Sequence, residues 1–250
     1  MERATIGEGG IDYYYQDVGS GPPVAFVHGF SANHLSWYQQ VPAFRDEYRC
    51  VVPDQRRFGL SVDTAGAGVR AFPDDLVALL DHLGIEETAL VGHSMGGWTV
   101  GSVATQQPER VSALVLSATP GGLIAPERHE RLMAQGGTPE VDPLTPEAAF
   151  LADSIDGLNR DKPPSWEETR PPLDELPLDA DTVVDADIPV LVVAGEADEF
   201  MPAPAIEAVG DRLGAETAVI ENAGHSAYFE QPEAFNSAVE SFLDDHLHLG

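Results

Sequence analysis

Three residues of this chain have the types and surroundings of a nucleophile, an acid and a base. Ser94 lies in Gly92-His93-Ser94-Met95-Gly96, after the run Thr88-Ala89-Leu90-Val91 and before the small-residue stretch Gly97 to Ala104. A β-rich run, then G-x-S-x-G, then a helix-compatible stretch is the sequence form of a nucleophile elbow. Glycines flank the serine because a tight strand-to-helix turn brings backbone segments too close for side chains. The turn lifts the hydroxyl clear of the sheet and places it at a helix N-terminus, which favours an oxyanion. Read without its partners, the same pentapeptide also fits a strand-end turn with no chemistry, the lesser of the two readings.

A serine hydroxyl needs a base, and the base needs an orienting partner. Downstream, Ile188-Pro189-Val190-Leu191-Val192-Val193-Ala194 reads as a buried strand and ends in Gly195-Glu196-Ala197-Asp198. Asp198 therefore lies just past the carboxyl end of a strand, where open α/β sheets gather their ligands. The next strand-like run, Thr217 to Ile220, ends in Asn222-Ala223-Gly224-His225. The order Ser94, Asp198, His225 fits a Ser-Asp-His triad.

In these segments the chain resembles the α/β-hydrolase superfamily. The resemblance spans nearly all of its length. It is carried by His28-Gly29-Phe30, Asp54 to Ser61, Gly92 to Gly97, Gly195 to Pro202, and Gly224-His225 through Glu230-Gln231-Pro232-Glu233-Ala234-Phe235. It implies that Ser94 is the nucleophile, His225 the general base and Asp198 the orienting acid, chosen over Glu196 and Glu199. It implies an oxyanion hole from the amides of Phe30 and Met95, with Phe30 also touching substrate. One motif departs from the family pattern. The loop after the fourth strand commonly reads Asp-x-Arg-Gly-x-Gly-x-Ser, and here Arg57 stands where glycine is usual. That substitution calls the local backbone into question, but not the three candidate residues.

The elements that must position these residues alternate. Strands are expected at Ile11 to Val18, Pro23 to Val27, Cys50 to Val52 and Val111 to Leu116, besides those already named. Helices are expected at Leu35 to Phe44, Pro73 to Leu83 and from Pro232 onward, the second with Leu76, Leu79, Leu80 and Leu83 on one face. Alternation of this kind implies an α/β fold with a mostly parallel, doubly covered sheet. The pattern breaks after Pro120. Residues 121–187 are proline-rich and acidic, with weak helical patches near 126–135 and 146–158. By resemblance this is a short helical cap inserted into a core of residues 1–120 and 188–250. Leu123, Ile124, Met133 and Trp166 are candidates to line a substrate pocket, or equally to form what core the cap has.

Composition narrows the setting. At 250 residues and 43% hydrophobic content the chain suits one core domain with an insertion. No basic-then-apolar leader is visible and no apolar run reaches ~18 residues, so a cytoplasmic location is expected. Cys50 is the only cysteine and reads as a small buried hydrophobe. There are 42 acidic against 13 basic residues, a net charge of −29, with Lys162 the single lysine. Such a surface repels nucleic acid and anionic membranes. It fits a salt-rich cytoplasm, whereas a GC-rich genome would explain missing lysine but not the excess of acids. No nucleotide-binding glycine pattern or Cys/His cluster occurs, so neither cofactor nor metal is expected.

The expected chemistry is hydrolysis of a carboxylic ester or related acyl compound through an acyl-enzyme. The same triad also serves lactonases, perhydrolases, carbon–carbon hydrolases and a menaquinone-pathway lyase, and a hydrolase frame can persist in a binding protein. The expected partner is a small acyl substrate. Oligomeric state is left open.

Overall fold

The computed structural model describes residues 2–7, 10–64, 66–124, 153–160, 163–169 and 179–247. Its centre is an eight-stranded sheet: β1 (Glu2–Ile6), β2 (Ile11–Val18), β3 (Pro23–Val27), β4 (Arg49–Pro53), β5 (Thr88–His93), β6 (Val111–Ser117), β7 (Val190–Gly195) and β8 (Glu216–Ile220). The order across the sheet is β1-β2-β4-β3-β5-β6-β7-β8. β2 runs antiparallel to both its neighbours, and every pair from β4–β3 to β7–β8 is parallel.

The helices are α1 (Gln40–Phe44), α2 (Phe72–His82), α3 (Met95–Gln106), α4 (Trp166–Thr169), α5 (Ala180–Asp185), α6 (Ala203–Leu213), α7 (Ala227–Glu230) and α8 (Pro232–His246). Residues 153–156 add a single helical turn. The period of two along a strand sends alternate residues to opposite faces. Ala25 and Val27 join one core cluster with Leu76, Leu79, Val100, Val183 and Ile206, from α2, α3, α5 and α6. Val24 and Phe26 join the other with Trp37, Phe44, Tyr228, Phe235 and Phe242, from the α1 side, α7 and α8. Central strands buried on both faces explain the continuous apolar runs of the sequence.

Two departures from the sequence reading have clear causes. The helix expected at Leu35 to Phe44 is split into a 3₁₀ turn, His34–Trp37, and α1. Pro42 has no amide proton, and its ring crowds the carbonyl four residues back, so no continuous helix can cross residue 38. Asn33 starts the 3₁₀ turn by accepting the Leu35 amide through its side chain. The second departure is α5, which packs against α3 and α6, and whose Ala180 and Val183 belong to the core. The expected helical patch at 126–135, most of that at 146–158, and Met133 lie outside the described residues. Among the described residues, no helix is long and apolar enough to cross a membrane.

Candidate active site

Ser94 sits between the end of β5 and the first residue of α3, with φ 48° and ψ −114°. A non-glycine residue in such a conformation costs about 1–3 kcal/mol and persists only where its surroundings over-determine it. Here the Ser94 amide donates to the Ser117 carbonyl at 2.9 Å, and the Ser94 carbonyl accepts from Gly97 at 3.0 Å. The flanking glycines are required by close approach. A Cβ on Gly96 would lie 2.3 Å from the Val27 carbonyl oxygen, and one on Gly92 would lie 2.4 Å from Val100 Cγ2. The Ser94 side chain does not cap its own helix. Its hydroxyl is instead 2.9 Å from His225 Nε2.

His225 lies in the loop after β8, with its Nδ1 2.9 Å from Asp198 Oδ2. A carboxylate accepts, so the Nδ1 proton points at Asp198 and Nε2 is left to accept the Ser94 hydroxyl proton. Asp198 Oδ1 is committed elsewhere, accepting the amides of Phe200 at 2.9 Å and Met201 at 2.8 Å. With its side chain fully buried and both oxygens engaged, the carboxylate has one orientation. The rival acid in the same turn, Glu196, accepts the Asn222 amide at 3.1 Å instead. The strand ends that carry acid and base are joined directly, since the Ala197 amide donates to the Ala223 carbonyl at 2.8 Å.

Two rings pack on the His225 imidazole: Phe200 at 5.0 Å, nearly perpendicular at 82°, and His93 at 5.1 Å. Burial holds the His93 pKa well below the usual histidine range, and the neighbouring His225 lowers it further. His93 is therefore a neutral neighbour, able to sit beside a protonated His225 without a second charge.

The loop after β3 presses on the elbow from the other side. A Cβ on Gly29 would lie 2.9 Å from the His93 ring and 3.3 Å from Ser94 Cβ. His28 braces this loop: its Nδ1 donates to the Gly29 carbonyl at 2.8 Å and its Nε2 accepts the Gln55 amide at 3.0 Å. Burial lowers the His28 pKa, which suits this neutral, one-donor, one-acceptor pattern. Gln55 returns a bond to the His28 carbonyl at 2.9 Å and accepts the Thr99 hydroxyl at 2.6 Å. The chain His28–Gln55–Thr99 thus ties the loop after β3, the loop after β4 and α3 together. Phe30 is half-buried with its ring edge-on to Phe58 at 6.3 Å, and both belong with Met95 to one small apolar cluster. Of the residues expected to supply oxyanion amides, Met95 directly follows Ser94 and Phe30 packs against the cluster that holds Met95.

The loop carrying the departure from the family pattern has a left-handed backbone at that position. Arg57 has φ 65°, the left-handed conformation that glycine adopts freely. Asp54 organises the rest, accepting the His34 amide at 2.6 Å, His34 Nδ1 at 2.8 Å and the Leu60 amide at 2.7 Å. Gly59 must lack a side chain, because a Cβ there would overlap the Asp54 carboxylate at 2.0 Å. The same loop meets the inserted segment: Arg57 Nη1 lies 3.1 Å from Glu168 Oε1, and the Arg160 amide donates to the Gly59 carbonyl at 2.6 Å.

Of the residues expected to line a pocket, Leu123 is 1% exposed and Ile124 9%, and both join the core cluster on the α2–α3 side. The sequence reading offered a pocket or a core of the cap itself for them; they belong instead to the main core beside the sheet. Trp166 begins α4, but its side chain lies outside what is described, as does Met133. Sequence reasoning passed over Gln55 and Thr99, whose roles are hydrogen bonds across distant segments. Among the described residues, no group of three His, Cys, Asp or Glu side chains could hold a metal.

The model of the alpha/beta hydrolase family matches residues 24–238. A 3-oxoadipate enol-lactonase from Acinetobacter baylyi is 29% identical over 89% of this chain and 88% of its own. A non-heme chloroperoxidase from Kitasatospora aureofaciens is 30% identical over 94% of this chain and 97% of its own. Among solved structures, a thermophilic esterase from Thermogutta terrifontis superimposes with a TM-score of 0.78 at 28% identity, covering 98% of both chains. With its sheet order, its elbow and a family match over most of its length, this chain belongs to the alpha/beta hydrolase family.

Proposed function

We propose that this protein is a serine hydrolase cleaving carboxylic esters or related acyl compounds through an acyl-enzyme. The observation that carries the reading is the directed hydrogen-bond chain Ser94–His225–Asp198, with both links at 2.9 Å. Ser94 Oγ attacks the acyl carbonyl as His225 Nε2 takes its proton. The amides of Phe30 and Met95 hold the tetrahedral oxyanion, and each such donor is worth about 10²–10³ in turnover. His225 then gives the proton to the leaving alcohol. Water enters, loses a proton to the same nitrogen and attacks the acyl carbon, and the Ser94 oxygen leaves with that proton as the acid is released. Asp198 stays ionised throughout and stabilises the imidazolium. Lactones fall within this class, because a ring ester presents the same carbonyl and one relative is named an enol-lactonase.

The test is a fluorophosphonate probe followed by a panel of p-nitrophenyl esters and lactones in high salt. Labelling is expected on Ser94 alone. Ser94→Ala is expected to stay folded, lose labelling and lose about 10⁶ in turnover. A Ser94→Ala protein that keeps a tenth of wild-type activity would remove Ser94 from the nucleophile's role.

A further inference from the structure

Resting on that reading, we propose that Glu230 is a positioning residue for His225, clamping the peptide units on both sides of the base. Its two carboxylate oxygens are divided between the residues flanking the histidine. Oε2 accepts the Gly224 amide at 3.1 Å, and Oε1 accepts the Ser226 amide at 3.2 Å. One side chain therefore engages the backbone on both sides of the imidazole.

Local structure explains why such a clamp is needed. His225 lies between Gly224, which has the freest backbone of any residue type, and a helix of only four residues, Ala227–Glu230. So short a helix cannot hold itself by propagation. The Ser226 side chain does not cap it. Glu230 instead reaches back four residues, from the last position of the helix, to accept the Ser226 amide. The neighbouring turn is tied down as well. Glu196 accepts the Asn222 amide at 3.1 Å, and Gln231 Nε2 donates to the Asn222 carbonyl at 3.2 Å. On the sheet side the Gly224 carbonyl meets β7 so closely that a Cβ on Gly195 would lie 2.0 Å from it. The Ala197 amide holds the Ala223 carbonyl, and the Phe229 and Glu230 amides hold the Ser226 carbonyl; what Glu230 adds is one shared acceptor for the Gly224 and Ser226 amides.

The imidazole must satisfy two partners at once, Ser94 on Nε2 and Asp198 on Nδ1. A shift of about 1 Å in a reacting group can cost on the order of 10² in rate. Loss of the clamp should therefore appear in the chemical step rather than in substrate binding.

The experiment compares Glu230→Ala, Glu230→Gln and Glu233→Gln with the wild type. Glu233 is an exposed carboxylate three residues on, in the first turn of α8, so its change controls for the loss of one acidic charge. The readouts are kcat and KM on an ester the wild type cleaves, and the rate of fluorophosphonate labelling at Ser94. Glu230→Ala is expected to lower kcat and labelling rate together by about 30- to 100-fold with KM within about twofold. Glu230→Gln offers one acceptor oxygen for two amides and should fall between, at roughly five- to tenfold. Glu233→Gln should match the wild type. Should Glu230→Ala fail to fold, Glu230→Gln decides by the same kcat-against-KM split. Wild-type kcat in a folded Glu230→Gln, or a loss confined to KM, overturns the clamp. A wild-type protein that the probe does not label, and that cleaves no ester, overturns the hydrolase reading itself. A labelled wild type with indifferent Glu230 variants overturns only the clamp.

Discussion

Asp198 and Glu196 are two carboxylates in one turn, and their hydrogen bonds separate them. Asp198 divides its oxygens between His225 and two backbone amides, while Glu196 serves the Asn222 amide. Replacing Asp198 by asparagine leaves the shape almost unchanged but presents an amide where an acceptor for the Nδ1 proton is needed. The other tautomer of His225 is then favoured, with its proton on the nitrogen that should accept from Ser94. Asp198→Asn is expected to lower kcat by about 10⁴. Glu196→Gln keeps one acceptor for Asn222 and should lose far less. Steady-state kinetics of the two variants on one ester checks this, and the reverse order would move the acid to Glu196.

At the scale of the element, the 54–61 loop shows how a departure from a pattern can be absorbed. Arg57 occupies a left-handed conformation that costs an L-residue about 1–2 kcal/mol, and its guanidinium meets Glu168 in α4. The Glu168 carboxyl is held down at about 2, first by the Ser165 amide and then by Arg57, yet both side chains are substantially exposed, so the pair adds little stability. Arg57→Ala keeps the strained backbone and loses the pair. Arg57→Gly loses the pair and relaxes the backbone. Glycine ordinarily destabilises relative to alanine, but here Arg57→Gly should melt about 2–4 °C above Arg57→Ala, the shift for about 1 kcal/mol in a chain of this size. Thermal melts of the two variants test it, and alanine melting above glycine would show that the loop rearranges.

The same scale shows what the sequence makes legible. β3 to β7 could be read because each is buried along most of its length and therefore mostly apolar, with polar residues chiefly at the ends. The three site residues could be read because each follows a strand end, with glycine beside Ser94 and His225. β1 escaped notice because an edge strand turns only Ala4 and Ile6 inward, leaving Glu2, Arg3 and Thr5 exposed. α6 was hidden by Gly210, which looks like a breaker. In the fold it brings the helix onto the sheet, where a Cβ would lie 2.9 Å from Thr217 Oγ1 and 3.0 Å from Val192 Cγ2. Gln55 and Glu230 were beyond reach for another reason. Both stand inside segments that carry the resemblance, but their work is hydrogen bonding to backbone, which a motif does not spell out.

On the scale of the whole molecule, the net charge of −29 outweighs any single ion pair. Mutual repulsion of carboxylates opposes compaction in dilute buffer. The screening length contracts from about 30 Å at 0.01 M to about 3 Å at 1 M. The melting temperature and ester hydrolysis are both expected to rise from dilute buffer to molar potassium chloride. Melts and rates at two salt concentrations decide it. A melting temperature flat or falling with salt would leave genome composition as the better account of the acidity.

The order of the strands also sets a schedule for translation. β5, which delivers Ser94, lies inside the sheet, while β8, which precedes His225, is an edge. The two hydrogen-bonded residues are 131 positions apart. At about 5–20 residues per second a ribosome needs on the order of ten seconds to cover that interval. Once β6 supplies the Ser117 carbonyl that holds the Ser94 amide, the growing chain can carry the serine on its bent backbone before its imidazole partner has been made. A chain that has not yet reached His225 therefore lacks the hydrogen-bond partner of Ser94, and the Ser94–His225–Asp198 arrangement is complete only when the edge strand and the loop behind it have been made.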